Sequence, residues 1–132
     1  MIGLDTNILL RYLRQDDPVQ SPRINQIFEQ QLSVENPGFV SLATTLELVW
    51  VLRSRMKLTP TEIASDLLKI LTRKILDVQN WQQVYEAVCA LEDGTGEFED
   101  ALIGALDSWA GCSTTLTFDH KAARLPYFQQ LS

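Results

Sequence analysis

Four acidic residues stand where a predicted strand ends or a predicted helix begins. Asp5 closes the opening apolar stretch, and Asp119 closes a stretch rich in β-branched residues. Glu47 lies one turn into a predicted helix, and Asp100 lies in the first turn of another. Carboxylate oxygens are the ligands that Mg²⁺ and Mn²⁺ prefer, and such a cation activates water for attack on a phosphodiester. The four acids therefore indicate metal-dependent hydrolysis, provided that the fold brings them together.

Short strands that alternate with longer helices must position these acids. The sequence predicts strands over residues 1–5, 39–42, 75–78 and 112–118, and helices over about 8–13, 21–32, 43–56, 59–71, 81–91 and 97–110. This alternation is typical of βαβ units in an α/β protein with a parallel sheet. Sites in such proteins form beyond the carboxyl ends of the strands. We therefore expect Asp5 and Asp119 to lie at the same edge of the sheet.

Each acid also has a simpler interpretation. Asp5 is suited to cap the following helix, although Thr6 and Asn7 offer capping oxygens as well. Asp100 is favoured near a helix N-terminus by the helix dipole alone. Glu47 is the hardest to explain in this way, because an acid among apolar neighbours costs desolvation, although it could be a solvated side chain on a half-buried helix. Asp119 could be a turn residue. The order and number of the acids carry more information than any one of them.

Composition and charge exclude several classes of protein. The chain has 132 residues, of which 45% are hydrophobic and 21% charged, which excludes a disordered or fibrous chain. No apolar run is longer than five residues, the length of Leu48–Leu52, which is far shorter than the roughly 20 residues of a membrane-spanning helix. The N-terminus lacks the features of a secretory leader, so we expect a cytoplasmic protein. Residues 75–132 hold nine acidic and two basic residues, which argues against general polyanion binding.

The stretches that contain the acids resemble a known family, in order along the chain. They are Ile2–Leu13, Leu46–Leu52, Phe98–Ile103 and Leu116–Pro126. Together they resemble PIN-domain nucleases, especially the VapC-type toxins of bacterial toxin–antitoxin pairs. The resemblance extends over essentially the whole chain. It implies a single PIN domain over residues 1–132, with a three-layer α/β/α fold and a central parallel sheet of four to five strands.

The resemblance also implies an activity and the residues that carry it. The activity is that of an endoribonuclease dependent on Mg²⁺ or Mn²⁺, in which water attacks an RNA phosphodiester and leaves 5′-phosphate and 3′-hydroxyl ends. The catalytic and metal-binding residues would be Asp5, Glu47, Asp100 and Asp119. The side chains that orient these ligands would be Thr6 or Asn7 and Thr117.

Partners follow from the resemblance and from the distribution of charge. Candidates for contact with RNA phosphates are Arg11, Arg14, Arg53 and Arg55. The resemblance implies a homodimer and a protein antitoxin that lies across the acidic groove. The helix around Leu48–Leu52 is apolar on more than one side, which also favours a protein interface.

Two non-enzymatic alternatives remain open at this stage. A receiver domain is also a small α/β protein with acids at the sheet edge and Mg²⁺. It requires adjacent acids after the first strand and a phosphorylatable Asp after the third, whereas this chain has Asp5 alone and Asp77 within the predicted third strand. A PIN-like scaffold without activity, acting only by binding protein or RNA, is the second alternative.

Overall fold

The computed structural model describes residues 1–132 and contains five strands and six α-helices. In chain order they are β1 (Ile2–Gly3), α1 (Thr6–Arg14), α2 (Gln20–Gln30), β2 (Gly38–Val40), α3 (Leu42–Ser54), α4 (Pro60–Leu71), β3 (Leu76–Val78), α5 (Trp81–Asp93), α6 (Phe98–Trp109), β4 (Thr115–Thr117) and β5 (Phe128–Gln130). A single 3₁₀ turn, Ala122–Arg124, lies between the last two strands. None of the helices is both long enough and apolar enough to cross a membrane.

The strands are all paired in parallel, which confirms the predicted α/β class. Strands β1, β2 and β3 form one sheet in that order, with Ile2 opposite Gly38 and Gly38 opposite Leu76. Strands β4 and β5 form a separate parallel pair, with Thr115 opposite Phe128. The five strands thus occupy two hydrogen-bonded groups rather than one continuous sheet, because β4 forms its ladder with β5 and not with the two-residue β1.

The core lies between the sheet and the helices, and its largest side chains come from five of the helices. The largest fully buried residues include Leu9 of α1, Leu52 of α3, Ile63 of α4, Val84 of α5 and Phe98 of α6. Full burial of a side chain of this size contributes about 1.5–3 kcal/mol. This packing positions α1 and α6, whose starts carry Asp5 and Asp100, and α3, which carries Glu47.

Helix α3 is apolar on more than one side, and only one of these sides is buried in the core. Leu48, Val49 and Leu52 are at most 1% exposed, whereas Leu46 is 36% exposed. Glu47 therefore lies on the solvent side of the helix, next to the exposed Trp50.

Side-chain caps determine where the helices begin. The sequence Thr59-Pro60-Thr61-Glu62 forms the predicted capping box. The Thr59 hydroxyl accepts a hydrogen bond from the Glu62 amide at 3.2 Å, and the Glu62 carboxylate accepts one from the Thr59 amide at 2.9 Å. Helix α1 is capped by Asp5 rather than by Thr6 or Asn7, because the Asp5 carboxylate accepts from the Ile8 amide at 3.1 Å.

Two glycines seat the C-terminal strand pair against the rest of the molecule. A Cβ atom at Gly104 of α6 would lie 2.6 Å from the Phe128 ring, and one at Gly96 would lie 2.6 Å from the Leu125 side chain. Glycine within a helix costs about 1 kcal/mol relative to alanine. The close approach of Phe128 explains why glycine is nevertheless present at position 104, since a larger residue would collide with the ring. The strand pair thereby attaches to α6, which begins with Asp100 in its first turn.

Candidate functional site

Asp5 and Glu47 come together where the N-terminus of α1 meets α3. The Thr6 hydroxyl donates a hydrogen bond to the Glu47 carboxylate, which ties the two helices together. Thr6 is 8% exposed, whereas Asp5, Asn7 and Glu47 are exposed. All four residues line an open cavity of about 410 Å³. We refer to Asp5 and Glu47 as the N-terminal acid pair.

Asp100 and Asp119 lie near each other at the first turn of α6. Partial burial raises the pKa of the Asp100 carboxyl above its usual value, and the negative charges of Glu97, Asp119 and Glu99 raise it further. The position of Asp119 is fixed by local hydrogen bonds. Its carboxylate accepts from the Lys121 amide at 2.8 Å, and its own amide donates to the Thr117 hydroxyl at 3.0 Å. Asp100 and Asp119 form the C-terminal acid pair.

The structure places the four acids in two pairs and not in a single cluster. No group of three or more Asp, Glu, His or Cys side chains is close enough together to hold one metal ion. Asp5 and Asp119 follow strands of two different hydrogen-bonded groups, since β1 pairs with β2 and β4 pairs with β5. Helix α3 borders both pairs: Trp50 lines the cavity of the N-terminal pair, and Val49 lines a cavity that includes Asp100.

The donor atoms of each pair suit a hard divalent cation. Both pairs offer carboxylate oxygens and no nitrogen or sulfur ligand. Mg²⁺ commonly uses only one or two protein carboxylates and keeps several waters, so a pair is a sufficient protein contribution. Burial and the neighbouring carboxylates both disfavour the charge of Asp100 and raise its pKa, and a bound cation would favour that charge. The residues present therefore fit Mg²⁺ or Mn²⁺ in a water-rich coordination.

Three of the four candidate RNA-binding arginines form ion pairs, and those of Arg14 and Arg53 are the closest. Arg14 pairs with the buried carboxylate of Asp66, which is 4% exposed. Arg53 forms a bidentate ion pair with Glu99, in which its two terminal nitrogens donate to the two carboxylate oxygens at 2.8 and 2.7 Å. This pair joins α3 to the first turn of α6. The Arg53 guanidinium lowers the pKa of the Glu99 carboxyl, and Glu99 in turn raises the pKa of Arg53. These two arginines have structural partners that the sequence did not reveal.

The other two arginines differ in their surroundings. The Arg11 guanidinium donates to the Gln20 side chain at 2.9 Å and lies 3.5 Å from the Asp16 carboxylate. Arg55 has no ion pair, and its guanidinium carbon lies 5.6 Å from the centre of the Trp50 ring. Arg55 and Trp50 both line the cavity of the N-terminal acid pair. Arg55 is therefore the arginine best placed to contact a ligand at that pair.

A second cavity, of about 420 Å³, opens beside Asp100 and includes two cations that the sequence analysis did not single out. These cations are Lys121 and Arg124. The sequence could have pointed to them, because they are the only Lys or Arg residues after Lys74. Both are exposed, and neither forms an ion pair.

Comparison with known families identifies the fold. The PIN domain family matches residues 2–126, a span that contains all four acids. The chain belongs to the PIN domain family. PIN domains are in general nucleases and typically use divalent metal ions, so membership indicates nuclease activity for this PIN domain. No individually curated protein matches it. The receiver-domain alternative loses its support, because the family is a different one and Asp77 lies within β3.

Proposed function

We propose that this PIN domain is a metal-dependent endoribonuclease that uses Mg²⁺ or Mn²⁺. The observation that carries the proposal is the family match over residues 2–126, which spans all four acids. The fit of two carboxylate pairs to a hard cation supports it, as does the crowding of negative charge around Asp100. The proposed catalytic and metal-binding residues are Asp5, Glu47, Asp100 and Asp119.

The residues of the chain would hold and orient these ligands. When bound, the divalent cation would supply a polarised water and neutralise charge on the phosphate. The Thr6 hydroxyl donates to the Glu47 carboxylate and restricts its orientation, and exposed Asn7 lies beside it. Thr117 accepts from the Asp119 amide and fixes the turn that carries this acid.

The proposed reaction is direct hydrolysis of an RNA phosphodiester. The water oxygen forms a bond to phosphorus, and the bond from phosphorus to the 3′ oxygen breaks. The 3′ oxygen takes up a proton, which leaves 5′-phosphate and 3′-hydroxyl ends. Among the proposed RNA contacts, Arg55 is the leading candidate because it is free of ion pairs and lies beside exposed Trp50. Arg11, Arg14 and Arg53 would first have to leave their present partners.

We further propose that the protein is a VapC-type toxin, acts as a homodimer in the cytoplasm and is neutralised by a protein antitoxin. Support comes from the resemblance of its sequence stretches to such toxins. Exposed Leu46 and Trp50 on α3 add support, since apolar side chains in contact with solvent are typical of protein interfaces. Light scattering coupled to size-exclusion chromatography tests the dimer. A monomer at every concentration would refute it.

RNA cleavage by the purified protein tests the proposed activity. A structured RNA is incubated with Mg²⁺ or Mn²⁺, with and without EDTA, beside Asp5→Asn, Asp100→Asn and the control Asp77→Asn. Asp77 is exposed and lines neither cavity. We expect metal-dependent cleavage that is lost in the first two variants and retained in the control. Equal cleavage by all four proteins would place the activity at a different centre.

A second measurement separates a selective nuclease from a scaffold that only binds. The wild type and Asp100→Asn are expressed in a bacterial host, and growth and the ends of cellular RNAs are compared. Growth arrest with new 5′-phosphate ends for the wild type alone would support a selective toxin. Unchanged growth and unchanged RNA ends, together with no cleavage of any RNA in vitro, would favour the binding-only scaffold.

A further inference from the structure

The cavity beside Asp100 is lined by the only Lys and Arg residues that follow Lys74 in the sequence. Between Lys74 and Lys121 there is no Lys or Arg, and Lys121 and Arg124 are the only ones after it. Both line this cavity, although the chain carries a net charge of −6. Neither side chain is neutralised by an ion pair, so both are available to an anionic ligand.

The floor of the same cavity is apolar. Its hydrophobic lining comes from Val49, Leu58, Ile63, Leu91 and Phe98. Its volume of about 420 Å³ lies within the range of about 300–1,000 Å³ that is typical of small-molecule sites. An apolar floor below a cationic rim matches a ligand with one flat apolar part and one anionic part.

The turn before α6 adds an unused hydrogen-bond donor. Gly94, Thr95 and Gly96 all line the cavity. The amides of Gly94 and Thr95 donate to carbonyl groups of α5 at 3.2 and 3.0 Å, whereas the Gly96 amide has no partner within the protein. This amide is available to an acceptor on the edge of a nucleobase.

From these features we propose that this cavity binds one nucleotide of the RNA substrate, next to the phosphodiester that is cleaved. The base lies on the apolar floor, and Lys121 and Arg124 contact its phosphate. Asp100 lines the same cavity, so the reacting phosphate is the adjacent one along the strand. The cavity thereby determines at which nucleotides the RNA is cleaved. This inference rests on the proposed ribonuclease function but assigns residues outside the acid pairs.

Binding of mononucleotides in EDTA tests the cavity without any need for cleavage. Backbone amide shifts of the full chain are followed by NMR during titration with the four 5′-mononucleotides, inorganic phosphate and the four nucleosides. We expect at least one mononucleotide to shift the amides of residues 94–98 and 121–124 and to bind more tightly than phosphate or its nucleoside. Equal binding of inorganic phosphate would overturn the base site, and shifts confined to residues elsewhere would overturn the cavity.

Charge variants with matched controls identify the cationic rim. Lys121→Gln combined with Arg124→Gln should weaken mononucleotide binding about fivefold, the effect of removing two partly screened charges. The charge-preserving pair Lys121→Arg with Arg124→Lys should largely retain binding. Arg23→Gln removes an exposed cation that lines neither cavity and should leave binding unchanged. Unaltered binding by the double Gln variant would refute the role of the rim.

Cleavage mapping distinguishes a nucleotide within RNA from a free nucleotide. The double Gln variant should redistribute the cleavage sites of the wild type, whereas Asp100→Asn should abolish cleavage at all of them. An unchanged cleavage map with impaired mononucleotide binding would overturn the assignment to RNA and make the cavity a site for free nucleotides. Mononucleotide binding by a wild type that cleaves no RNA would refute the proposed nuclease function while supporting the nucleotide site.

Discussion

Replacing Asp100 by Asn should stabilise the metal-free protein while abolishing its nuclease activity. Partial burial and three neighbouring carboxylates raise the pKa of Asp100, so its negative charge is unfavourable in the folded state. The amide of Asn has nearly the same shape and carries no charge. The substitution therefore removes repulsion and at the same time removes a proposed metal ligand.

The expected gain is small because the site is partly exposed. Each repulsion between Asp100 and a neighbouring carboxylate destabilises the folded protein by about 0.2–1 kcal/mol in such surroundings. The dipole of α6 acts in the opposite direction and stabilises the ionised Asp100 by about 0.3–1 kcal/mol. The raised pKa indicates that repulsion and burial outweigh the opposing interactions. We expect a net gain of about 0.5 kcal/mol at pH 7, which corresponds to a rise of about 1–3 °C in the unfolding midpoint.

The dependence on pH has a definite sign. Because the pKa is raised, the folded state binds the Asp100 proton more tightly than the unfolded chain does. Ionised Asp100 destabilises the folded state, and this destabilisation is complete above the raised pKa. It disappears as the pH falls below the ordinary pKa of about 3.9. The difference in stability between Asp100→Asn and the wild type should therefore shrink to zero as the solution is acidified.

Glu62 provides a matched contrast, since it occupies the same position of α4 that Asp100 occupies of α6. The Thr59 amide donates to the Glu62 carboxylate and lowers its pKa. The ionised Glu62 is thus stabilising above its unfolded pKa, and this contribution is lost as the pH falls through the lowered value. Glu62→Gln should reduce stability at pH 7, the opposite sign to Asp100→Asn.

Thermal unfolding in EDTA between pH 3 and pH 8 measures both variants against the wild type. Far-UV circular dichroism before heating confirms that all three proteins are folded. If Asp100→Asn unfolds at a lower temperature than the wild type at pH 7, the repulsion around Asp100 does not exist as described. If both variants change the unfolding temperature in the same direction, the effect depends on the position in the first helical turn. It then does not depend on the surroundings of each carboxylate.

Three further predictions follow from the site and its supports. Thr6→Val removes the hydroxyl that donates to Glu47 and should slow single-turnover cleavage about tenfold, with Thr6→Ser restoring it; an unchanged rate would contradict the positioning role. Asp66→Asn leaves the partly buried Arg14 without its charged partner and should cost about 3 kcal/mol in urea denaturation, whereas a cost below about 1 kcal/mol would refute the importance of the pair. Millimolar Mg²⁺ should raise the unfolding temperature of the wild type but not of Asp100→Asn, and equal shifts would exclude Asp100 as a ligand.

The sequence predicts the helices well because their signals are local. The capping box of Thr59 and Glu62 appears in the structure as predicted. The six helices begin and end within about two residues of the predicted bounds, since apolar periodicity and turn residues are read within one segment. Helix α3 is the partial exception, because which of its faces is buried depends on α1 and α4 and not on α3 alone.

The arrangement of the strands and acids could not be predicted with the same success. Strand β4 pairs with β5, and neither the two-residue β1 nor the three-residue β4 contains enough residues to specify a partner. Asp5 and Asp100 lie at helix starts as the sequence predicts, and their roles in a site stay predictions. Which acids lie near each other depends on contacts between distant segments, such as the hydrogen bond from Thr6 to Glu47. The partners of Arg14 and Arg53 were hidden for the same reason, since each lies more than 40 residues away.

The C-terminal strand pair contacts the rest of the molecule through Gly96 and Gly104, and this has a consequence for local stability. Within residues 112–132 only Ala122 and Leu125 are buried, so little apolar surface attaches this segment to the body. Segments of this kind open on their own, at a free energy below that of global unfolding. Native-state hydrogen exchange should therefore find Asp100 in a slowly exchanging unit and Asp119 in a rapidly exchanging one. We therefore expect each opening of the outer segment to separate Asp119 from Asp100 while the helical core stays folded.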